Sequence, residues 1–372
     1  MDTHLIIEAI NLTDDLSEEL ESRAKEHIGW KVIDVSTELA KTFKFKEALK
    51  MVEEFQFLAI TEDLKHAFLG TIGKIYEELG EYEKAMNYYD EALRVGGSDW
   101  LIFRTHINIC DLLIKIGKYK EAKEKFERFL KEKENLLRES GVDINSSPDM
   151  AMLYNEFGVI LLRISKYDDA KFYLERAIRI WKSLIERGKG EFLSNLADSL
   201  HNLSLVFFEI NDFCKALKLF MEAYKIYEKL INISPYDFLA YYAMVCNNIG
   251  LVFARIKKHK DAKEFLNKGL SAYLKLVLDV SDVYIPDVAM SFYNLGILHE
   301  GMGELEIAEK YYKKALKHYK RANAEFENAF LDDEAKVYLS LGRISIKQNN
   351  LLRALEFIRK ALGILKIKEQ RS

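Results

Sequence analysis

The sequence predicts an all-α solenoid built from eight helical hairpins, and three observations carry that prediction. Breakers are scarce: 3 Pro and 18 Gly serve 372 residues, of which 49% are hydrophobic and 31% charged, a balance suited to helices rather than sheets. A motif ending in alanine recurs as FKFKEA, GEYEKA, GKYKEA, SKYDDA, NDFCKA, KKHKDA, GELEIA and NNLLRA, placing Ala48, Ala85, Ala122, Ala170, Ala216, Ala262, Ala308 and Ala354 at successive steps of 37, 37, 48, 46, 46, 46 and 46. A second small residue stands twelve places before each alanine: Ser36, Gly73, Cys110, Gly158, Ser204, Gly250, Gly296 and Gly342. Two helices that cross closely need small residues where their backbones approach and large ones around them.

Taken in order, residues 1–28 read as an N-terminal capping helix, capped by Thr13, with Leu16, Leu20 and Ala24 on one face and an acidic first turn (Asp14, Asp15, Glu18, Glu19) favoured by the helix dipole. Residues 29–140 hold three shorter-period units. Gly141 and the Asn145-Ser146-Ser147-Pro148 run mark a loop over 141–150. Residues 151–372 hold five units of 46 residues, opened by Ala151, Ala197, Ala243, Ala289 and Ala335. Within a unit, a bulky residue three places before the alanine (Phe45, Tyr82, Tyr119, Tyr167, Phe213, His259, Leu305, Leu351) is expected to plug the turn. A large apolar residue four places after it (Val52, Tyr89, Phe126, Leu174, Phe220, Leu266, Tyr312, Ile358) fills the space beside the small residue. Trp181, Tyr227, Tyr273, Tyr319 and Leu365, with Leu184, Leu230 and Leu276, continue the apolar pattern past the usual hairpin end, so the second helices should be long. Pro148-Asp149 and Pro286-Asp287 suit helix starts, where the missing N–H is no loss.

This pattern resembles the tetratricopeptide repeat over residues 29–372, with YNLGILHEGMGELEIAEKYYKKAL (293–316) the best copy and the first unit, with Phe55 and Gln56, departing most. The resemblance implies a right-handed superhelix. The usual unit is about 34 residues, and the longer period with its Pro-Asp starts is similar to the kinesin light chain type. About eight extra residues would deepen the wall by roughly 12 Å.

Composition narrows the function. A net charge of −4 and a pI near 6.2 give no bias toward nucleic acid or an anionic membrane. Cys110, Cys214 and Cys246 are too scattered for a disulfide framework or a zinc site. The first twenty residues do not read as a signal peptide, and no run of about 18 uncharged apolar residues occurs, so a cytoplasmic protein is expected. Enzyme signatures are thin. His299-Glu300 lacks the second histidine of a zinc-protease helix and falls at a core position shared with Phe207 and Phe253. Gly96-Gly97 and Gly188-Lys189-Gly190 end helices rather than cradle phosphate. Cys110 and Cys246 sit at packing positions. The lysines of 257–260 and 313–321 read as solvated outer faces. No catalytic residue, metal or cofactor is expected.

Function should then lie on first-helix residues that leave the core. Asn108, Asn202, Asn248 and Asn294 stand two places before the small residue, Asn247 adjoins Asn248, and Asn155 is shifted by one and followed by Glu156. Asparagine is unfavourable inside a helix. A row of amides can hydrogen-bond the backbone of a bound segment; the alternative use is bridging neighbouring helices. The kinesin light chain resemblance implies peptide binding by such a row. Arg163, Arg255, Lys115 and Lys347 recur near the far end of the first helices, and Arg104 and Arg343 add charge. With Met152, Met244, Met290, Leu205 and Leu251 nearby, they suit an amphipathic acidic segment. The family's carboxylate clamp is not matched. The expectation is a non-catalytic scaffold holding an extended or helical peptide of a partner protein in a concave groove, with Asn108, Asn155, Asn202, Asn247, Asn248, Asn294, Arg163, Arg255 and Arg343 at the site. Nucleic acid and membrane are not expected as partners. The apolar C-terminal helix suggests a homodimer. The rival reading is a peptide-sensing regulator whose N-terminal helices act on another protein.

Overall fold

The computed structural model describes residues 18–326 and 328–369. Among them are sixteen α-helices and no strand, forming two compact units, one up to Asn135 and one from Leu136 onward. Unit 1 contains α1 (Glu18–Lys41) paired with α2 (Phe45–Glu54), α3 (Glu62–Glu78) with α4 (Tyr82–Val95), and α5 (Asp99–Lys115) with α6 (Tyr119–Glu139), the last turn of α6 belonging to unit 2. Unit 2 continues with α7 (Pro148–Arg163) and α8 (Tyr167–Glu186), α9 (Leu193–Glu209) and α10 (Phe213–Ile233), and α11 (Pro235–Arg255) and α12 (His259–Asp279). Its last two hairpins are α13 (Ile285–Gly301) with α14 (Leu305–Glu325) and α15 (Leu331–Lys347) with α16 (Leu351–Glu369). Each first helix packs on its own second helix, and each second helix from α8 to α14 is then covered by the next first helix.

The small residues do what their spacing predicts. All eight motif alanines are buried. A methyl group added at Gly73 would sit 2.7 Å from Tyr89 Cε1, at Gly158 2.5 Å from Leu174 Cγ, at Gly250 2.6 Å from Leu266 Cγ and at Gly296 2.5 Å from Tyr312 Cε1. The residue four places after each alanine thus fills the space that the small residue leaves. The residue three places before it is covered in five hairpins, where Phe45, Tyr167, Phe213, His259 and Leu305 are half-buried, and stands open in three, at Tyr82, Tyr119 and Leu351. It is the first residue of the second helix in all eight hairpins, and Leu351 there is 66% exposed.

The turns are alike. Phe43, Gly80, Gly117, Ser165, Asn211, Lys257, Gly303 and Asn349 each lie two places before a second helix with φ between 58° and 80°. The residue that follows donates its N–H to the carbonyl five places back, as Lys44 does to Leu39 and Glu304 to His299. This is a Schellman closure, which satisfies the last carbonyls of the first helix.

The long second helices are present. The helices α8, α10, α12 and α14 run 20 or 21 residues against 14 in α4. The 21-residue α6 is already of this length, although its unit precedes the 46-residue series. Trp181, Tyr227, Tyr273 and Tyr319 are buried on the added turns. Pro148, Pro235 and Pro286 all stand in the first turn of helices. Within the expected loop, Ile144–Ser146 forms a 3₁₀ turn and Ser147 caps α7 by accepting from the Met150 N–H. At the N-terminus, Thr13 and Leu16 lie outside the described residues, and residues 18–28 run without a break into α1, so no helix boundary falls at residue 28. By length and composition α11 could cross a membrane, but half of its most apolar stretch is buried inside unit 2.

Candidate functional site

The first helices of unit 2 use one broad face to pack on their partners. On the remaining face they leave a half-buried stripe: Met152, Asn155 and Val159 on α7, Asn202 and Leu205 on α9, and Met244, Asn248 and Leu251 on α11, with Asn155 one residue out of register and Asp198 at the methionine position of α9. On α13, Met290 is half-buried and Ile297 exposed.

The amides of this stripe join neighbouring helices. Asn155 Nδ2 donates to Glu156 Oε1 at 3.1 Å, and Asn202 Nδ2 donates to Asn155 Oδ1 at 3.2 Å. Asn248 Nδ2 stands 3.5 Å from His201 Nε2, and at the equivalent place two hairpins further on the Tyr293 and Ser340 hydroxyls meet at 3.2 Å. In these three pairs the residue two places before one small position meets the residue three places before the previous one. Asn247 does not line a surface. It is 2% exposed and donates to Ser291 Oγ at 3.0 Å, because its place, one residue earlier on the helix, turns it into the α11–α13 contact. Asn294 is 8% exposed.

The expected positive lining is partly consumed by the array. Arg343 grips Glu300 through Nε and Nη2, both at 2.8 Å, while Lys347 Nζ and Tyr312 Oη donate to the same carboxylate at 2.7 and 2.8 Å. Burial raises the Glu300 pKa, but these donors outweigh it and hold the carboxyl down to about 2. Unit 1 repeats the arrangement: Tyr89 Oη donates to Glu77 Oε2 at 2.7 Å, and Lys115 Nζ and Lys74 Nζ stand 2.7 and 2.9 Å from Glu77 Oε1. Arg163 and Arg255 are exposed near the ends of α7 and α11, and the Arg255 guanidinium lies 5.9 Å from the Phe208 ring.

Unit 1 holds a cavity of about 100 Å³ on the same face of α1, α3 and α5. Trp30, Ile33 and Leu101 line it with Thr71, Arg104 and Asn108. It exists because Gly70 stands where the other first helices carry Ile33, Ile107, Asn155, His201, Asn247, Tyr293 and Leu339; only Thr105 Oγ1, at 3.8 Å, comes near the place a methyl would take. Sequence reasoning found Arg104 and Asn108 but not Trp30. The missing side chain at Gly70 is the signal that could have revealed the cavity. His66 on its wall is fixed, Nδ1 donating to the Gly96 carbonyl at 2.5 Å and Nε2 accepting from Thr105 Oγ1 at 2.8 Å.

The reactive side chains are set for packing. Burial pushes the Cys110 and Cys246 thiols up to about 12, and keeps His106 and His201 neutral by lowering both to about 4. His299 is buried, paired through Nδ1 with Glu304 and stacked 5.2 Å from Tyr311, in the core place its spacing predicts. Among the described residues no group of three His, Cys, Asp or Glu could hold a metal.

Known proteins repeat this architecture. Family models described as tetratricopeptide repeat match residues 66–95, 149–229, 288–325 and 335–364. Tetratricopeptide repeat protein 21A of Mus musculus is 32% identical over 105 residues, a stretch that is 28% of this chain and only 7% of that protein. Among solved structures, a Signal Transduction ATPase with Numerous Domains (STAND) protein with a tetratricopeptide repeat sensor, from Pyrococcus horikoshii, superposes with a TM-score of 0.56 at 15% identity, covering 96% of this chain and 51% of its own. BtubC (BKLC) from P. vanneervenii gives 0.53 at 15% identity, covering 68% and 92%. A Rap protein complexed with Competence and Sporulation Factor gives 0.51 at 13% identity, covering 93% and 100%. At these identities the structures share the fold alone. Eight hairpins with small residues at every crossing, and repeat matches in both units, make the chain a tetratricopeptide repeat protein.

Proposed function

We propose that the chain is a non-catalytic interaction scaffold that holds an extended or helical segment of a partner protein on the first-helix face of unit 2. The observation that carries this reading is the partly exposed stripe of α7, α9 and α11, in which Val159, Leu205 and Leu251 share one position, Asn202 and Asn248 a second, and Met152 and Met244 a third. The methionines and leucines offer adaptable apolar area. Each amide has two donor hydrogens and a carbonyl, and the bonds of Asn202 and Asn248 to neighbouring helices occupy one hydrogen apiece. The remaining groups suit the backbone of a bound segment, at about 1 kcal/mol net per bond. Arg163 and Arg255 at the helix ends favour an acidic segment.

Selection of a random displayed-peptide library against the full chain tests this. Enriched peptides should bind the Asn202→Ala/Asn248→Ala double variant about tenfold more weakly than wild type, with unchanged circular dichroism. Equal affinity for both proteins would move the site off this face.

A further inference from the structure

Two small residues on the middle first helix of unit 1 make its cavity. At six and three places before the small crossing residue, α3 carries Ala67 and Gly70. At those places α1 carries Trp30 and Ile33, α5 carries Arg104 and Ile107, and every first helix of unit 2 has a side chain larger than alanine at both. The floor is low and the walls are high, which leaves about 100 Å³ between the three helices. Glycine inside a helix costs stability relative to alanine. Space does not require it here, since a methyl at residue 70 would meet nothing closer than Thr105 Oγ1 at 3.8 Å. The opening is kept against helix propensity.

The lining has one chemical character. Trp30, Ile33, Ala67 and Leu101 supply apolar surface, and among the described residues no aspartate or glutamate lines the cavity. Its two cations differ. Lys74 is spent on Glu77 and Glu78, at 2.9 and 3.3 Å. Arg104 is exposed, and neither its guanidinium, nor the Trp30 indole N–H, nor the Asn108 amide has a hydrogen-bond or ion-pair partner among the described residues. His66 keeps both ring nitrogens on protein partners and offers nothing to a ligand.

We infer that this cavity binds a small aliphatic carboxylate, its hydrocarbon against Trp30, Ile33 and Leu101 and its carboxylate on Arg104 and Asn108. Size selects the hydrocarbon: roughly 150 Å³ takes a benzene ring, so this smaller space takes a branched chain of about four or five carbons. Charge selects the head group. The guanidinium fork matches a carboxylate, the Asn108 amide and the Trp30 indole add donors, and no acidic wall repels it. The site lies wholly in unit 1, so it stands or falls independently of the function proposed above for unit 2.

Isocaproate is the probe, titrated into the full chain and followed by calorimetry and tryptophan fluorescence. Saturable binding is expected, weakened about tenfold by Arg104→Gln and abolished by Gly70→Leu, which fills the cavity as Ile33, Ile107 and Leu339 fill that place on their helices. Gly70→Leu should melt no lower than wild type, so its loss of binding is not loss of fold, and Gly70→Ala should weaken binding in the same direction. Isohexanol, the alcohol of the same skeleton, should bind about tenfold more weakly than the acid. The Asn202→Ala/Asn248→Ala protein should bind isocaproate as wild type does. Absence of saturation overturns the proposal. Equal binding by wild type and Gly70→Leu overturns it by moving the acid elsewhere, and equal affinity for acid and alcohol removes the carboxylate as the recognised group. Displacement of isocaproate by library-selected peptides whose own binding Gly70→Leu abolishes would overturn it too, by assigning the cavity to an anchoring side chain of a peptide.

Discussion

Asn202 reaches back 47 residues along the chain to donate a hydrogen bond to Asn155, Nδ2 to Oδ1 at 3.2 Å. Residues that look like a binding row in the sequence are therefore also rivets between α7 and α9. Asn202→Ala should lower the stability of the chain to urea by about 1 kcal/mol. Asn108→Ala, on the cavity of unit 1 and without such a bond, should change it by less than about 0.5 kcal/mol.

The crossings predict opposite results for two glycines. Gly296→Ala places a methyl 2.5 Å from the buried Tyr312 ring and should destabilise by about 1–3 kcal/mol through overpacking. Gly342→Ala meets Ile358 Cγ1 at 3.4 Å, a contact that a small shift relieves, so the gain in helix propensity of up to about 1 kcal/mol should make it neutral or stabilising. Thermal unfolding of the two variants side by side checks both signs.

Turn residues supply a third test. Ser165 and Lys257 hold φ of 59° and 61°, a region that L side chains enter at a cost, whereas Gly80, at φ 80°, enters it freely. Ser165→Gly and Lys257→Gly should each raise the melting midpoint, with a gain of about 0.5–1 kcal/mol, and Gly80→Ala should lower it.

Two groups tie the stability of unit 2 to pH in separate ranges. His201 is held at about 4 by burial, below its ordinary 6.5, so its own contribution falls as the pH drops from 6.5 toward 4, against an opposite contribution from Asp287, which burial raises to about 6. Glu300 is held at about 2, below its ordinary 4.5, so its contribution is complete above 4.5 and is lost as the pH falls toward 2. Glu300→Gln should therefore be less stable than wild type at neutral pH, with the two melting curves converging near pH 2. A constant offset across that range would remove Glu300 as the cause.

The repeat was legible because one physical demand, close approach of two helices, recurs at every hairpin and forces small residues into Gly73, Gly158, Gly250 and Gly296. Helix length was legible for the same reason, since Trp181, Tyr227, Tyr273 and Tyr319 repeat at one spacing. Contacts between hairpins were not. The grip of Arg343 on Glu300 joins residues 43 apart, and within either helix alone each reads as a solvated charge. Asn247 differs from Asn248 by a 100° rotation around α11, so neighbours identical in type divide between core and surface. The continuity of α1 through residue 28 was hidden because the first hairpin, with its ten-residue α2, matches the later ones least.

Helix length also sets how far a small motion travels. The tight contact of the last long hairpins lies near the start of the second helix, at Ala308 in α14, which then runs about 26 Å further to Glu325. In α4 the run from Ala85 to Val95 is about 15 Å. Pivoting at the crossing by about 5° would move the far tip by roughly 2 Å in the first case and about 1 Å in the second. The added turns are levers: the long hairpins convert a slight tilt at the glycine contact into a displacement at the opposite rim comparable to half a helix turn.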